Sequence, residues 1–501
     1  MTSTDKHAQA PNILLVIVDQ WPGRLLGVAG HPVIQTPTID AIARNGVRFS
    51  RAYSECPICI PARRTLMTGT TTRTHGDRIF RTVNPMPALP TLAHCFRDAG
   101  YQTYAVGKLH VYPPRDRIGF DDVLLAEEGR PHLGAIDDYE IFLADRGYPG
   151  QQFLHGMNNN NYMHRPWHLP EDCHVINWTT MQMARTIKRR DPTRPAFWCV
   201  SYTPPHPPLI PLQCYVDFYR QFQIDPALGG AWSQDEATLP LPLRMNRAYY
   251  GAYPGAVLAE VRRAFYALCT HIDHQLRVVI GTLREEGVLD DTIVMIAGDH
   301  GEMLGDFGLF AKRTYYEGSG RIPMVLMGRA SDQRVGHHRV DDRLVGLQDL
   351  MPTLLDLADI PVPQSCDGLS MVGERRRQTL YGDCLENVSA TRMLHDGRHK
   401  LIWYPAGNHL QLFDLEADPN EQHDRADDPD YAATRGRLVQ TLADQLYGAD
   451  IEQGWVKDGK LTGFEAPPYQ EHPDRGLNGQ RGLHYPQPPH VAQDVMVGFP
   501  T

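Results

Sequence analysis

Four side chains at two places in the sequence have the chemistry of a divalent-cation site. Asp19-Gln20 follows the apolar run Ile13–Val18, and Asp299-His300-Gly301-Glu302 follows the β-rich run Thr292–Ala297. Carboxylate, amide and imidazole donors at two strand ends can converge on one ion. Either pair alone fits a loop turn or the cap of the next helix equally well, since strand-end Asp residues commonly serve there. A third segment adds anion chemistry. Cys59-Ile60-Pro61-Ala62-Arg63 precedes Leu66-Met67-Thr68-Gly69. Pro61 suits the first turn of a helix, where a missing N–H costs nothing, and Gly69 suits its end. Cys59 then stands just before a helix N-terminus, where free N–H groups and the dipole favour an anion. Arg63 offers a guanidinium fork to the same point. The plainer alternative is a buried structural Cys beside a capped helix. Cys56-Pro57-Ile58-Cys59 also spells a C-x-x-C, but no second pair or thioredoxin-like context supports a redox or zinc site.

These residues need a scaffold that gathers strand ends. Ile13–Val18 reads as a buried strand, as do Gln102–Val106, Ala196–Ser201 and Thr292–Ala297, with Pro323–Met327 after them. Helices are expected over Thr38–Asn45, Thr91–Ala99, Val175–Arg189 and Glu260–Glu286, three of them ended by Gly46, Gly100 and Gly287. Strands apolar on both faces, alternating with helices, imply an α/β fold with a large, mostly parallel sheet covered by helices. Beyond about Glu374 the character changes. Lys400–Tyr404 and Leu410–Asp414 read as strands of a small antiparallel sheet, and Tyr431–Leu446 as its covering helix. The expected division is a catalytic domain over residues 1–374, a small α+β domain over 375–447, and an extended tail rich in Pro, Gly, His and Gln over 448–501. That tail would pack on the body or on a neighbouring subunit, giving a homo-oligomer.

Composition narrows the function classes. The chain has 501 residues and a formal net charge of −10, which argues against a general nucleic-acid binder. The same count would argue against an anionic substrate if net charge were what decided binding. Nine cysteines are too dilute for a disulfide scaffold, and the odd count leaves at least one unpaired. Met1–Pro11 is polar with mixed charges, and no stretch approaches the roughly 18 apolar residues a membrane span needs. A cytoplasmic, reduced protein without a membrane segment is expected.

The motif C-x-P-x-R followed by L-x-T-G resembles the signature of the type I sulfatases, in the alkaline phosphatase superfamily. The resemblance extends along the chain. Pro11–Asp19 with Thr36-Pro37-Thr38-Ile39-Asp40 is similar to the family's opening. Gly107-Lys108-Leu109-His110 is similar to its G-K-x-H segment, and Pro204-Pro205-His206-Pro207 to its P-H-x-P segment. Asp299–Gly305 with Lys312, Tyr316-Glu317 and Arg321-Ile322-Pro323 is similar to its second metal block. Leu412-Phe413-Asp414-Leu415 with Asp418-Pro419 is similar to its C-terminal region.

The resemblance implies an alkaline phosphatase-like fold and a sulfuric ester hydrolase acting on a small-molecule or carbohydrate O-sulfate ester. It implies that a formylglycine-generating enzyme converts Cys59 to formylglycine (3-oxoalanine), whose hydrate is the nucleophile. Asp19, Gln20, Asp299 and His300 would hold one divalent metal, with residue 59 completing the shell. Arg63 would orient the diol, and Lys108 and Lys312 would bind sulfate oxygens. His110 would be the base that lets sulfate leave, and His206 with Lys312 would serve the leaving oxygen. Tyr316-Glu317 reads as structural support. Two departures from the common pattern stand out. Asp19-Gln20 and Asp299-His300 replace the usual Asp-Asp and Asp-Asn, which leaves Ca²⁺ and Mn²⁺ both open. Arg64 replaces a small residue. The alternatives are a phosphonate monoester or phosphodiester hydrolase with the same nucleophile, a promiscuous enzyme with both activities, and a non-catalytic binder of sulfated ligands. The insertions Tyr139–His174 and Tyr215–Tyr253, with Asn158–Asn161, Trp167, His168, Trp178 and Trp232, are expected at the pocket mouth, where such side chains suit a carbohydrate or an aryl sulfate and equally suit a loop core.

Overall fold

The computed structural model describes residues 10–128, 137–157 and 159–468. Eight strands form one sheet: β1 (Asn12–Val18), β2 (Val47–Tyr53), β3 (Gln102–Gly107), β4 (Asp122–Leu125), β5 (Ala196–Tyr202), β6 (Thr292–Gly298), β7 (Met324–Met327) and β8 (Arg339–Gly346). Their order is β4-β3-β5-β1-β6-β7-β2-β8, and β7 alone runs against its neighbours. The central strand β1 is apolar on both faces because both are covered. Leu14, Val16 and Val18 enter one core, and Ile13, Leu15 and Ile17 enter the other. Helices α1 (Pro37–Arg44), α4 (Val175–Lys188) and α5 (Gly255–Glu285) fill the first face. Helices α2 (Cys59–Thr68), α3 (Leu92–Asp98) and α6 (Leu350–Leu357) fill the second. This is the expected mostly parallel sheet between helices.

A smaller antiparallel sheet follows, ordered β12-β11-β10-β9 over β9 (Leu380–Cys384), β10 (Thr391–His395), β11 (His399–Tyr404) and β12 (His409–Asp414). Alternation splits its side chains. Leu401 and Trp403 meet Leu438 and Leu442 of α7 (Ala432–Gln445). Ile402 and Tyr404 face the large domain, among Ile58, Tyr315 and Tyr316. The sequence-based expectation of an extended chain from 448 is corrected over residues 448–468. Ala449–Glu452 is helical, Val456–Lys457 pairs with Lys460–Leu461, and Trp455 is buried. The cause is an ion pair that composition hides. Buried Asp450 accepts from Arg78 at 2.9 Å and from Arg392 at 2.6 Å, which fixes the chain after α7 to the body. The rest of the expected tail, residues 469–501, lies outside the described residues. Among the described residues, no helix is long and apolar enough to cross a membrane.

His174 shows how the first face is closed. It caps α4, its Nδ1 accepting from the Ile176 N–H at 3.1 Å, and its Nε2 donates to the Ile210 carbonyl at 3.1 Å. Both nitrogens are used in the neutral form, and burial pushes the imidazole down from 6.5 to about 4. Above pH 6.5 the folded and unfolded chains both hold it neutral. As pH falls through 6.5 towards 4, the unfolded chain takes up the proton first, so the fold loses stability across that window. The loss is about 3 kcal/mol by pH 4, at about 1.4 kcal/mol per unit. His75 and His395, buried and also shifted down, act in the same direction. Urea unfolding at pH 7 and pH 5 should show this fall in the wild type. His174→Asn, which keeps a capping acceptor but cannot take the proton, should show a smaller one.

Candidate active site

Four neighbouring strands, β3, β5, β1 and β6, are parallel, so their carboxyl ends share one edge. Each ends in a segment of the site: Lys108–His110 after β3, Thr203–His206 after β5, Asp19-Gln20 after β1, and Asp299-His300 after β6. Ligands bind at this edge of open parallel sheets. Gly107 allows the closest approach. Its φ is +107°, and a Cβ would stand 1.9 Å from the Ser201 carbonyl oxygen. That contact lets the Lys108 N–H reach the same carbonyl at 3.0 Å.

Ligand atoms of Asp19, Cys59, Asp299 and His300 all lie within 4.8 Å of one another, and all four residues are buried. The His300 Nδ1 faces its neighbouring Gly301 carbonyl at 3.0 Å, which fixes Nε2 as the inward nitrogen. That Nε2 lies 3.2 Å from Cys59 Sγ and 3.5 Å from Asp19 Oδ1. Asp19 Oδ1 is itself buried and accepts no hydrogen bond. An oriented imidazole and two carboxylates, one of them with an orphaned oxygen, fit a divalent cation. Burial and the charge of Asp19 push Asp299 up, against His300 and Arg63. Burial and Cys59 also push Asp19 up, but Lys108, His206 and Arg63 outweigh them and hold it below the ordinary carboxylate range.

Arg63 gathers the strand ends. Its Nε donates to Asp299 Oδ2 at 2.9 Å, and Nη2 lies 3.6 Å from Asp19 Oδ2. Its Nη1 donates to the Lys108 carbonyl at 2.6 Å and to Ser201 Oγ at 3.0 Å. Cys59 is the first residue of α2, with Ile58 extended before it. The helix ends at Gly69 in the left-handed region, as the sequence suggests. Burial pushes the Cys59 thiol up, but Lys108, Lys312 and His300 outweigh it, aided by a hydrogen bond with His110. The sulfur is left well below the ordinary thiol value, so this position stabilises negative charge on residue 59.

Two carboxylates that motif reading did not assign, Glu127 and Glu128, support the site. Lys108 pairs with both Asp19 and Glu128. Glu127 accepts from the Leu109 and His110 N–H groups at 2.6 and 2.8 Å. It thereby holds His110 at φ 60°, a conformation that costs a non-glycine residue about 1 kcal/mol or more. His206 Nδ1 faces the Pro207 carbonyl at 2.8 Å, so Nε2 accepts from Lys312 Nζ at 2.8 Å. Lys312 also donates to Gln20 Oε1 at 2.6 Å.

Every sequence-predicted site residue therefore lies in one buried cluster. Lys108 and Arg63 are held by carboxylates, although the resemblance aimed them at sulfate and diol. Arg64 turns away, to Asp77 at 3.3 Å and to the Asn84 carbonyl. Beside His206 lies a cavity of about 50 Å³ walled by Tyr139, Phe153, Trp167, Ile210 and Glu128. It draws on Tyr139–His174 as expected, but none of its lining residues comes from Tyr215–Tyr253. Trp178 packs on Tyr139, and Trp232 stacks on Tyr316, so both serve cores. Asn158 lies outside the described residues. Tyr316 bonds to Gln411 and Glu317 pairs with Lys400, so this pair is structural. Glu127, Glu128 and Ser201 carry no local signal. Glu302 and Tyr162 belong to the same cluster through Gln20.

The family model Sulfatase matches residues 11–360, and N-sulphoglucosamine sulphohydrolase, C-terminal, matches residues 305–447. An arylsulfatase of Clostridium perfringens is 32% identical over 469 residues, covering 90% of this chain and 97% of its own. A choline-sulfatase of Rhizobium meliloti is 28% identical, covering 84% and 83%. In fold, the chain is similar to the phosphonate monoester hydrolase of Agrobacterium radiobacter, with a TM-score of 0.75 at 24% identity over 87% of this chain and 95% of that one. With its strand-end cluster and Cys59 at a helix start, the chain belongs to the sulfatase family of the alkaline phosphatase superfamily and is a sulfatase hydrolase.

Proposed function

We propose that the chain hydrolyses a sulfate monoester, with residue 59 as nucleophile after its conversion to formylglycine by a formylglycine-generating enzyme. The observation that carries this reading is Cys59 Sγ, 3.2 Å from His300 Nε2, in a cluster of cationic groups at a helix start. The sulfur stands where the nucleophilic oxygen would be. Asp19, Gln20, Asp299 and His300 would hold one Ca²⁺ or Mn²⁺, which would withdraw charge from that oxygen and from the sulfate. The remaining work falls to the chain's own side chains. Arg63 keeps the two carboxylates apart and in register. His110, bonded to residue 59, takes the proton that lets sulfate depart. Lys312, set by His206, donates towards the leaving alcohol oxygen. Lys108 exchanges a carboxylate partner for a sulfate oxygen. The base at His110 supports sulfate over phosphonate esters, because release of sulfate from residue 59 needs it. The nine unpaired cysteines support a cytoplasmic location. The Pro-, Gly- and His-rich composition of the chain beyond 448 supports a homo-oligomer.

Mass spectrometry of the peptide spanning Cys59 in natively matured protein should find formylglycine, and Cys59→Ala should lose about a thousandfold or more in kcat. A fully active protein with an intact thiol would sink the reading. Chelation should abolish turnover, with Mn²⁺ or Ca²⁺ restoring it at one ion per chain by elemental analysis. Activity indifferent to chelators, with no metal present, contradicts the cation site.

The cavity beside His206 would take the alcohol portion. Among its described lining residues Glu128 is the one carboxylate, and no Lys or Arg is present. An aryl sulfate with a ring carboxylate should therefore fall about tenfold below 4-nitrophenyl sulfate in kcat/KM. Glu128→Gln should narrow that ratio whatever it does to both rates. Trp167→Ala should raise KM for aryl esters more than it lowers kcat.

A further inference from the structure

Gln20 is an amide set among ionic side chains, and its surroundings dictate which way it points. It lies at φ 63°, fully buried, with its N–H donating to Asp299 Oδ1 at 3.1 Å. Its Nε2 donates to Glu302 Oε2 and to the Tyr162 hydroxyl at 3.0 Å. Tyr162 spends its own proton on Glu302 Oε2 at 2.5 Å, so its oxygen can only accept from Gln20. Turned over, the amide would set its oxygen against the Glu302 carboxylate, two acceptors face to face where no water reaches. The oxygen must therefore point to Lys312. Glu302 does a second job. Its Oε1 accepts from the Leu304 and Ala311 N–H groups, both at 2.7 Å, and those residues have φ of 52° and 61°. It thus pins the turn that delivers Lys312.

We infer that Glu302, with Tyr162, is a positioning residue that sets Gln20 as a neutral oxygen donor to the cation, and that its charge is the reason position 20 carries an amide. The inference rests on the cation reading above. A second carboxylate at position 20 would face Glu302 across a single hydrogen-bond distance, both buried. Exchanging the two chemistries, Q20E with E302Q, restores one donor amide and one acceptor carboxylate between the same positions.

The test is calorimetric titration of Mn²⁺ into metal-free, full-length protein, with turnover not needed. Groups that orient a ligand typically carry 10–100-fold in metal affinity. We expect E302Q to raise the Kd by about tenfold or more, Y162F by about threefold, and Q20E to weaken binding too. The double variant Q20E/E302Q should bind closer to wild type than either single variant does, a rescue that general loosening of the fold would not give. Circular dichroism identifies variants that fail to fold. If E302Q is among them, Y162F carries the test, and an unchanged Kd overturns the inference. E302Q that folds and binds Mn²⁺ as tightly as wild type overturns it, as does a double variant weakened by the product of the two single effects. Wild-type protein that binds no Mn²⁺ or Ca²⁺ overturns the cation reading and this inference with it. Wild-type binding that E302Q leaves intact overturns this inference alone.

Discussion

One guanidinium ties four strand ends together. Arg63 touches Asp19 after β1, Asp299 after β6, the Lys108 carbonyl after β3 and Ser201 within β5. Without it Asp299 would lose the guanidinium that offsets the facing charge of Asp19, and a buried unpaired charge costs several kcal/mol. The other charges are arranged around this pair. Lys108 shares Asp19 with it, and Glu128 balances Lys108. A net charge of −10 says nothing about this place, because the local arrangement of Arg63, Lys108 and Lys312 sets the field an incoming anion meets.

The small C-terminal sheet takes part in the same arrangement. One of its faces packs with Ile58 and Cys56, the residues that lead into α2, and with Tyr315 and Tyr316 beyond Lys312. Asp383 in β9 also donates its N–H to the Glu55 carbonyl at 3.1 Å. The sheet therefore fixes the entry to α2 from behind, while the large sheet fixes the strand ends from below.

How much of this was legible depended on whether the signal was local. The strands β1, β3, β5 and β6 are continuous apolar runs, and their boundaries fall within about a residue of the sequence-based expectation. The helices α1, α3, α4 and α7 carry glycine stops or amphipathic spacing and were legible for that reason. Strands β2 and β8 were not, because VRFSRAY and RVDDRLVG mix charge into the pattern near the sheet edge. Strand β4 was too short to register. In the site, Asp19, Cys59, Asp299 and His300 were legible from strand ends and a helix start. Glu127, Glu128 and Tyr162 were not, because each acts on a partner brought near only by folding.

The four anchors of Arg63 also bear on the order in which the molecule assembles. They come from residues 19, 108, 201 and 299, so the guanidinium finds its full set only when strands distant in the chain have paired. Contacts of that separation are slow to form. A chain stopped short of β6 lacks Asp299 and His300 and has nothing complete to offer an ion. Any ion that binds only the finished cluster then favours the completed fold by mass action. This edge of the sheet would serve as a checkpoint on folding as well as the proposed place for chemistry.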